Sequence, residues 1–580
     1  MTRLRNAISA LLFLALPSAA SAATPSKPAL ALTPCTVPGI AGEARCGTYE
    51  VPENRARPNG RMVPLKVLVL PALGAKREPD PIVSFAGGPG DSAVDEAVGF
   101  ATMYPKLRER RDAVFIDLRG TGGSAPLHCS GMRGTAGVQG FLDDFLPAQA
   151  VRDCRTEHAG RDLAQYRTTV AVDDVAEVLT ALGYDKVNAW GGSYGTRSAT
   201  ELARRHPARV RTLALIGLVP PDARSPVTFA RDAQDALDAT LRKCAADKEC
   251  AAAFPRVREE LAAVLARTEK EPAIVKLHDP DTGAPHELRL TRHGVAQTIR
   301  YMLYVPGTAV LVPLYVHAAA EGDFTPLGKT AAMFARFAGG MSDGFFLSVT
   351  CSEDVPFIRA GEAADAVRGT FLDDFRIRAQ QEACRQWTVP PIPTSEMEPV
   401  RTRVPALLIS GERDPVTPAR WAEQMLRTMP NGVRVVVPDG AHGFDGLRGT
   451  QCIQQLLEEL VEKGSARRLD TSCVRRISGP PFATKLPPPE VTLEPAQLAR
   501  IAGRYAGDEG PTIDIEIVGD RLRATIVGKD AFLLTARSPT AFGVEGLPPE
   551  NALEVVETDG VVTAMRVLGM GPEPLLLKKR

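Results

Sequence analysis

The sequence predicts an α/β protein with a largely parallel sheet, an inserted helical cap and a small antiparallel β domain at the C-terminus. Three observations support this fold class. Short apolar runs alternate with helical patterns, which is typical of a parallel sheet covered by helices. The alternation stops for one long, mostly helical block and then resumes. The last 90 or so residues alternate apolar and polar side chains, with turn signals between them.

The strands of the main sheet are predicted from short, uninterrupted apolar runs, because parallel strands are buried on both faces. Between them, residues 172–182 place apolar side chains every three or four positions, as an amphipathic helix does. Strands and helices that alternate in this way favour a parallel sheet with helices on both sides. The predicted strands are residues 63–70, 82–85, 113–117, 187–190, 212–216, 406–410 and 433–437.

A helical insertion divides the main domain. Residues 218–400 are mostly helical in pattern and rich in Ala and Arg. A helical block between two strands indicates a cap over the carboxyl edge of the sheet, where α/β proteins bind ligands. The main domain is therefore predicted in two parts, residues 24–217 and 401–480. A Pro-rich linker (481–492) and the small β domain (493–580) follow.

The first 23 residues have the order of a secretory signal peptide. Arg3 and Arg5 precede an apolar run at residues 7–16, and a small-residue stretch at 20–22 suits cleavage. The apolar run is shorter than the roughly 20 residues that a membrane-spanning helix needs. We therefore expect an exported protein, periplasmic or extracellular, with no membrane span after cleavage. An N-terminal membrane anchor is the alternative.

The ten cysteines agree with export, because an even count suits disulfides in an oxidising compartment. The chain has no C-x-x-C motif and its eight histidines are scattered, so we predict neither a metal site nor a cofactor. The simplest pairing joins sequence neighbours, although the sequence does not establish the connectivity. The pairs would be Cys35–Cys46, Cys129–Cys154, Cys244–Cys250, Cys351–Cys384 and Cys452–Cys473.

The overall charge excludes one broad class of partner. The chain has 69 basic and 69 acidic residues, so its formal net charge is zero. A balanced chain has no global electrostatic reason to bind nucleic acid or an anionic membrane surface. Composition leaves the oligomeric state open.

The most informative stretch is residues 191–195, with the pattern G-x-S-x-G between a predicted strand and a helical pattern. This strand–turn–helix context is that of a nucleophile elbow, in which Ser193 projects from a sharp turn. Gly191 and Gly195 remove side chains that would clash at such a turn. The following helix N-terminus favours negative charge beside the serine. A glycine-rich turn with an idle serine is the alternative.

A serine nucleophile needs a base, and the base needs an orienting carboxylate. Among the histidines after Ser193, only His442 lies in the resumed sheet region, in a loop just past a predicted strand. Asp414 follows the preceding strand in the same way. Loops at the ends of parallel strands converge on one edge, so the three side chains can meet. Asp439 and Glu412 are alternative candidates for the orienting carboxylate. Each lies on the opposite side of its turn from the position where that carboxylate is expected.

The oxyanion of acyl transfer needs two preorganised N–H donors. One is predicted to be the backbone N–H of Tyr194, the residue after the nucleophile. The other should come from the glycine-rich loop at residues 86–90, which follows an earlier strand. We select Gly88, with Gly87 as the rival.

Together these motifs resemble the proline iminopeptidase and tripeptidyl aminopeptidase family of α/β-hydrolase serine peptidases. Order and spacing are most similar to the secreted, tripeptidyl-aminopeptidase-like branch, over roughly residues 35–473. Ala86 stands where proline iminopeptidases usually have His, which favours that branch. The tail is similar to small β-barrel-like domains appended to some serine hydrolases. The resemblance is carried by residues 87–90 (GGPG), 117–124 (DLRGTGGS), 191–195 (GGSYG) and 411–414 (GERD), together with His442.

The resemblance implies an α/β-hydrolase fold and the release of N-terminal residues or short peptides through an acyl-enzyme. The substrate would be a peptide or small acyl compound whose ammonium group is held by carboxylates at the cap. Glu353, beside Cys351, is our candidate for that contact, and a solvated acidic loop is the alternative. Two other functions stay open: a secreted esterase or amidase for non-peptide substrates, and a binding protein that keeps the fold without catalysis.

Overall fold

The structure is a computed structural model of the 580-residue chain. It describes residues 30–40, 42–132, 134–338, 340–507, 511–526, 531–569 and 574–580. The predicted signal peptide, residues 1–23, lies outside the described residues. Within the described ranges, none of the helices combines the length and the apolar character needed to cross a bilayer.

The first half of the chain supplies most of a nine-stranded sheet and the helices that cover it. Its strands are β1 (Thr33–Cys35), β2 (Ala44–Pro52), β3 (Met62–Leu70), β4 (Ile82–Phe85), β5 (Ala113–Ile116), β6 (Val187–Gly192) and β7 (Val210–Ile216). Its helices are α1 (Ala97–Met103), α2 (Pro105–Arg110), α3 (Gly134–Asp144), α4 (Ala148–Glu157), α5 (Thr168–Ala181) and α6 (Tyr194–Arg205). Helix α5 is the helix predicted at residues 172–182, and it begins four residues earlier. Its apolar face is buried against the sheet.

One of the predicted strands runs in the opposite sense. We expected residues 63–70 to form a parallel strand, but β3 pairs antiparallel with both of its neighbours, β2 and β5. The connection between β2 and β3 is a short hairpin, closed by the Glu53 N–H bonding the Arg61 carbonyl at 2.8 Å. A parallel pair needs a crossover of a dozen or more residues, which this connection does not have.

The chain between β7 and the next strand of the main sheet forms a cap with its own apolar core. As predicted, the cap is mostly helical. It also contains an antiparallel hairpin, β8 (Ala273–His278) and β9 (Pro285–Leu290), which the sequence analysis missed. The cap helices are α7 (Phe229–Ala246), α8 (Lys248–Ala253), α9 (Val257–Lys270), α10 (Arg292–Met302), α11 (Pro306–Ala309), α12 (Val312–Glu321), α13 (Thr325–Ala338), α14 (Asp343–Val349), α15 (Glu362–Val367) and α16 (Phe375–Gln386).

The main sheet is completed after the cap by β10 (Ala406–Gly411) and β11 (Gly432–Val437), with helices α17 (Ala419–Leu426) and α18 (Gln451–Lys463). The strand order is β1-β2-β3-β5-β4-β6-β7-β10-β11. Every pair from β5 to β11 is parallel. The carboxyl ends of β4, β6, β10 and β11 therefore lie at one edge of the sheet, under the cap.

The C-terminal part is a closed antiparallel barrel in which β12 pairs with β19. It packs on the cap, because Lys329 of α13 lies within 4.0 Å of Glu490 and Glu545, and Arg523 donates to the Asp281 carbonyl at 3.1 Å. The barrel elements are α19 (Pro495–Ile501), β12 (Gly503–Ala506), β13 (Thr512–Val518), β14 (Arg521–Ile526), β15 (Ala531–Ala536), β16 (Ala541–Val544), β17 (Ala552–Thr558), β18 (Val561–Leu568) and β19 (Leu575–Lys579).

All ten cysteines form disulfides, and each pairs with its sequence neighbour as predicted. The Cα–Cα distances, from 4.9 to 5.8 Å, lie in the normal range for a disulfide. The pair Cys351–Cys384 joins the turn after α14 to α16, and so ties together two cap segments beside the sheet edge.

Candidate active site

Ser193 lies on the sharp turn between β6 and α6. Its backbone has φ 52° and ψ −124°, a conformation that costs energy for a residue with a side chain. The backbone approaches both flanking glycines too closely to leave room for a side chain. A Cβ on Gly191 would lie 2.4 Å from the carbonyl oxygen of Gly195. A Cβ on Gly195 would lie 2.0 Å from the carbonyl oxygen of Phe85. The strain is therefore held in place by packing, as in a nucleophile elbow.

His442 and Asp414 meet in the loops that follow β11 and β10. His442 Nδ1 lies 3.0 Å from Asp414 Oδ2. The other carboxylate oxygen, Oδ1, accepts the backbone N–H groups of Val416 at 2.9 Å and Thr417 at 2.8 Å. The Thr417 hydroxyl completes the cluster, 2.5 Å from Asp414 Oδ2 and 3.0 Å from His442 Nδ1. This arrangement fixes the imidazole and leaves Nε2 for another partner.

The Asp414 carboxylate is held in its ionised form. Burial raises the pKa of Asp414, but the charge and hydrogen bond of His442 and the hydrogen bonds from Thr417 outweigh burial, so the pKa lies below its ordinary value. The two alternative acids, Asp439 and Glu412, bind other groups. Asp439 binds Lys243 at 2.5 Å and Arg413 at 3.1 Å, and Glu412 accepts the Asp439 N–H at 3.0 Å.

Ser193 and His442 line one cavity of about 340 Å³. The cavity lies between the sheet edge and the cap, since Tyr301 and Phe334 of the cap also line it. Tyr304 packs against the imidazole, with 5.2 Å between the ring centroids of Tyr304 and His442. The side chains that the sequence analysis selected as nucleophile and base thus face the same enclosed space.

The two predicted oxyanion donors line the same cavity. Tyr194 begins α6, and its hydroxyl is anchored to Thr168 Oγ1 at 2.8 Å. Gly88 lies in the loop after β4 and is exposed to the cavity. The N–H of its rival, Gly87, stabilises the charged form of the Glu96 carboxyl group. The N–H of Gly87 is therefore directed at a protein group, which favours Gly88.

Glu353 lies behind the cavity wall. Its carboxylate accepts the Thr168 N–H and the Thr168 hydroxyl, both at 2.7 Å, and Arg197 Nη1 lies 3.3 Å away. The cavity is lined instead by Asp354, whose carboxylate binds Arg197 Nη2 at 3.0 Å. The positions of Glu353 and Asp354 follow from the local backbone. Residues 350–354 form a π-helical turn, which directs adjacent side chains to positions that sequence spacing does not predict.

Asp91 is a cavity residue that the sequence analysis missed, although it directly follows the glycine-rich loop. A Cβ on Gly87 would lie 3.3 Å from Asp91 Oδ2 and 3.5 Å from Ser193 Cβ, so the Asp91 carboxylate and the Ser193 side chain are both close to Gly87. In the part of the chain that the structure describes, no basic side chain lies within 4.0 Å of Asp91. Burial raises the pKa of Asp91 to about 6.

Comparison with known proteins finds two family matches in the segments that hold this site. Residues 80–306 match the α/β hydrolase fold family, and residues 370–473 match a family described as TAP-like protein. The serine protease Hip1 of Mycobacterium tuberculosis is 26% identical over 481 residues, which cover 75% of this chain and 88% of Hip1. The tripeptidyl aminopeptidase of Streptomyces lividans is 27% identical over 193 residues, 30% of this chain and 36% of that protein.

The chain is a serine hydrolase with the α/β-hydrolase fold. Ser193 of this α/β-hydrolase lies in the segment that matches the first family, and Asp414 and His442 lie in the segment that matches the second. Among solved structures, a proline iminopeptidase of Mycobacterium smegmatis is 16% identical with a TM-score of 0.31, over 72% of this chain and 98% of the other. That similarity is too distant to add to the assignment.

Proposed function

We propose that this α/β-hydrolase is an exported exopeptidase that releases N-terminal residues or short peptides through an acyl-enzyme. The observation that carries the proposal is the contact between His442 and Asp414, 3.0 Å apart, at the wall of the cavity that Ser193 lines. A nucleophile, a base and an orienting acid are the groups that acyl transfer requires.

In this mechanism, Ser193 Oγ attacks the scissile carbonyl while His442 Nε2 takes its proton. The Asp414 carboxylate binds His442 Nδ1 and stabilises the imidazolium that forms. His442 then donates the proton to the leaving amine. Water hydrolyses the acyl-enzyme by the same steps in reverse, which regenerates Ser193.

The negative charge on the carbonyl oxygen is stabilised by two backbone N–H groups, those of Tyr194 and Gly88. The position of Tyr194 at the start of α6 supports its role, because the helix dipole favours negative charge there. The exposure of Gly88 to the cavity supports the second donor.

Asp91 supports the release of residues from a free N-terminus. It lines the cavity beside the nucleophile, and no arginine or lysine of the described ranges neutralises it. A substrate ammonium group would supply that charge in a charge-assisted hydrogen bond. The cavity volume, about 340 Å³, is at the low end of the roughly 300–1,000 Å³ typical of small-ligand sites. That size suits the end of a peptide better than the middle of a long chain.

Export is supported by the five disulfides, which persist in oxidising compartments. The order of residues 1–23, which is that of a signal peptide, supports the same proposal. The exported protein would be periplasmic or extracellular.

The test compares aminoacyl and peptidyl arylamides with free and with acetylated N-termini. We expect hydrolysis of the free forms, loss of activity after acetylation and loss of all turnover in Ser193→Ala. Asp91→Asn should remove the preference for a free amine, while Asp95→Asn, an exposed neighbour, should keep it. Equal rates on free and blocked substrates, with faster cleavage of simple esters, would support the esterase alternative and contradict an exopeptidase.

A further inference from the structure

Two arginines of the cap line the cavity and are almost completely buried. Arg300 of α10 is 1% exposed and Arg376 of α16 is 6% exposed. Both line the same cavity as Ser193. The proposed acyl-transfer steps use neither of them.

Neither guanidinium has an acidic partner among the described residues. No carboxylate lies within 4.0 Å of either side chain, and Nε and Nη1 of both lack a hydrogen-bond partner. Arg376 contacts neutral groups, Gln380 Oε1 at 3.4 Å and the Tyr301 hydroxyl. By contrast Arg197, another buried arginine of the cavity, binds both Glu353 and Asp354.

Aromatic rings surround the pair and compensate only part of the lost hydration. The Arg376 Cζ atom lies 3.4 Å from the Phe145 ring centroid. The Arg300 Cζ atom lies 4.6 Å from that of Phe229 and 5.1 Å from that of Tyr304. Ring faces attract a cation more weakly than a carboxylate does at hydrogen-bond distance. Two neighbouring positive charges therefore remain without a counter-ion in a nonpolar setting.

Arg376 is expected to stay charged at neutral pH. Burial and the neighbouring charge of Arg300 lower the pKa of Arg376, yet only to about 10. The uncompensated charge is thus a property of the cavity at the pH of normal assays.

Their position relates them to the reaction centre. Tyr304 is close to both Arg300 and His442, with its ring centroid 5.1 Å from Arg300 Cζ and 5.2 Å from the imidazole centroid. Arg300 and the proposed base therefore share one aromatic neighbour. A group held by the arginines would belong to a residue close to the scissile bond.

We propose that Arg300 and Arg376 bind a carboxylate of the substrate, so that the enzyme prefers peptides with an acidic group next to the bond it cleaves. The inference rests on the proposed peptidase function and specifies its substrate class. The carboxylate could come from a Glu or Asp side chain, or from the free C-terminus of a short peptide, and the chemistry of recognition is the same.

The first test uses the unaltered protein and substrate pairs that differ in one charge. Glu and Gln arylamides compare the acyl side of the bond, and peptides with Glu or Gln after the bond compare the leaving side. Dipeptides with a free or amidated C-terminus test the terminal carboxylate. We expect kcat/KM to favour the charged member of at least one pair by about tenfold or more.

The second test replaces the arginines. In Arg300→Met and in Arg376→Met the ratio of charged to neutral kcat/KM should fall towards one. In Arg378→Met, which alters an exposed residue of the same helix α16, the ratio should stay at its wild-type value. Labelling of Ser193 by a fluorophosphonate probe checks that each variant is folded with a reactive serine.

The outcomes separate this inference from the proposed function. If the wild-type protein cleaves neutral peptides with a free N-terminus but prefers the charged member of no pair, the peptidase proposal stands and the carboxylate site is wrong. A charge preference that survives both arginine replacements would also overturn the assignment to these residues. Because the first test needs no variant, a failure of the replacements to fold does not prevent a decision.

Discussion

The hydroxyl of Thr417 lies 2.5 Å from Oδ2 of Asp414, the same oxygen that faces His442 Nδ1. Thr417 thus holds the acid that orients the proposed base. We expect Thr417→Val to lower kcat by up to about a hundredfold, because the imidazole loses its fixed position, with little change in KM. Thr417→Ser keeps the hydroxyl and should recover most of the activity. Steady-state kinetics on one free-amine substrate measure both, and an undiminished kcat in the valine variant would exclude this positioning role.

Asp414→Asn should lower kcat by roughly 10⁴-fold, because an amide can stabilise the wrong imidazole tautomer. The protein should remain folded, since the amide is nearly the same size as the carboxylate. Circular dichroism and kcat on the same preparation check this. Asp439→Asn is the matched control, since Asp439 binds Lys243 and Arg413 instead of His442. A larger loss of kcat in the Asp439 variant would indicate that Asp439, and not Asp414, orients the imidazole.

The preference for a free N-terminus should depend on pH. The pKa of Asp91 is raised to about 6, so its carboxyl group is neutral below that pH and ionised above it. The ratio of kcat/KM for free and acetylated substrates should therefore fall as the pH drops through about 6. Any effect of pH on the acyl-transfer steps themselves acts on both substrates alike and cancels in the ratio. In Asp91→Asn the ratio should not change with pH, and a pH-dependent ratio there would assign the effect to another group.

Removing one partner of a buried ion pair is expected to destabilise the fold much more than breaking an exposed pair. Arg119 Nε lies 2.6 Å from Asp174 Oδ2, and the two side chains are 0% and 2% exposed. Arg119→Met should lower the free energy of unfolding by about 3–5 kcal/mol, because it removes a partner from a buried charge. Arg205→Met breaks a half-exposed pair with Asp173 and should cost only about 0–1 kcal/mol. Urea unfolding monitored by fluorescence compares them, and equal effects would contradict this ranking.

The disulfide between Cys351 and Cys384 closes a loop with a sequence separation of 33. Replacing both cysteines by alanine should lower the free energy of unfolding by about 3–4 kcal/mol, through the entropy of the unfolded chain. The pair Cys244–Cys250, with a separation of 6, should contribute less, about 2 kcal/mol. Thermal or urea unfolding of the two double variants gives the comparison. Peptide mapping without reductant tests the connectivity itself.

The fold class was predictable because each local signal agreed with the next. Apolar runs predicted the strands of the main sheet, and the structure and the family matches confirm an α/β-hydrolase fold. The direction of β3 relative to its neighbouring strands was not predictable from its apolar run alone. Burial on both faces makes a strand uniformly apolar whether its neighbours are parallel or antiparallel, and the hairpin to β2 decided the direction.

The candidate site was predictable to the extent that strand ends define it. Ser193, Asp414 and His442 each follow a strand of one parallel sheet, so their convergence at one edge of that sheet follows from topology. Ser193 and His442 line the cavity, and Asp414 contacts His442 from outside it. Glu353 shows the limit of this reasoning, since a π-helical turn directs it behind the wall and brings Asp354 to the cavity.

By itself, the sequence determined the alternation of strands and helices, the glycine elbow and the simplest pairing of the cysteines, because these depend on residues close together in the chain. The tertiary structure alone decided which charges lack partners. Arg300 and Arg376 look like any other basic residues of a helical segment rich in arginine. Only the packing of α10 and α16 against one cavity removes them from water without supplying a carboxylate, since burial depends on neighbours that are distant in sequence.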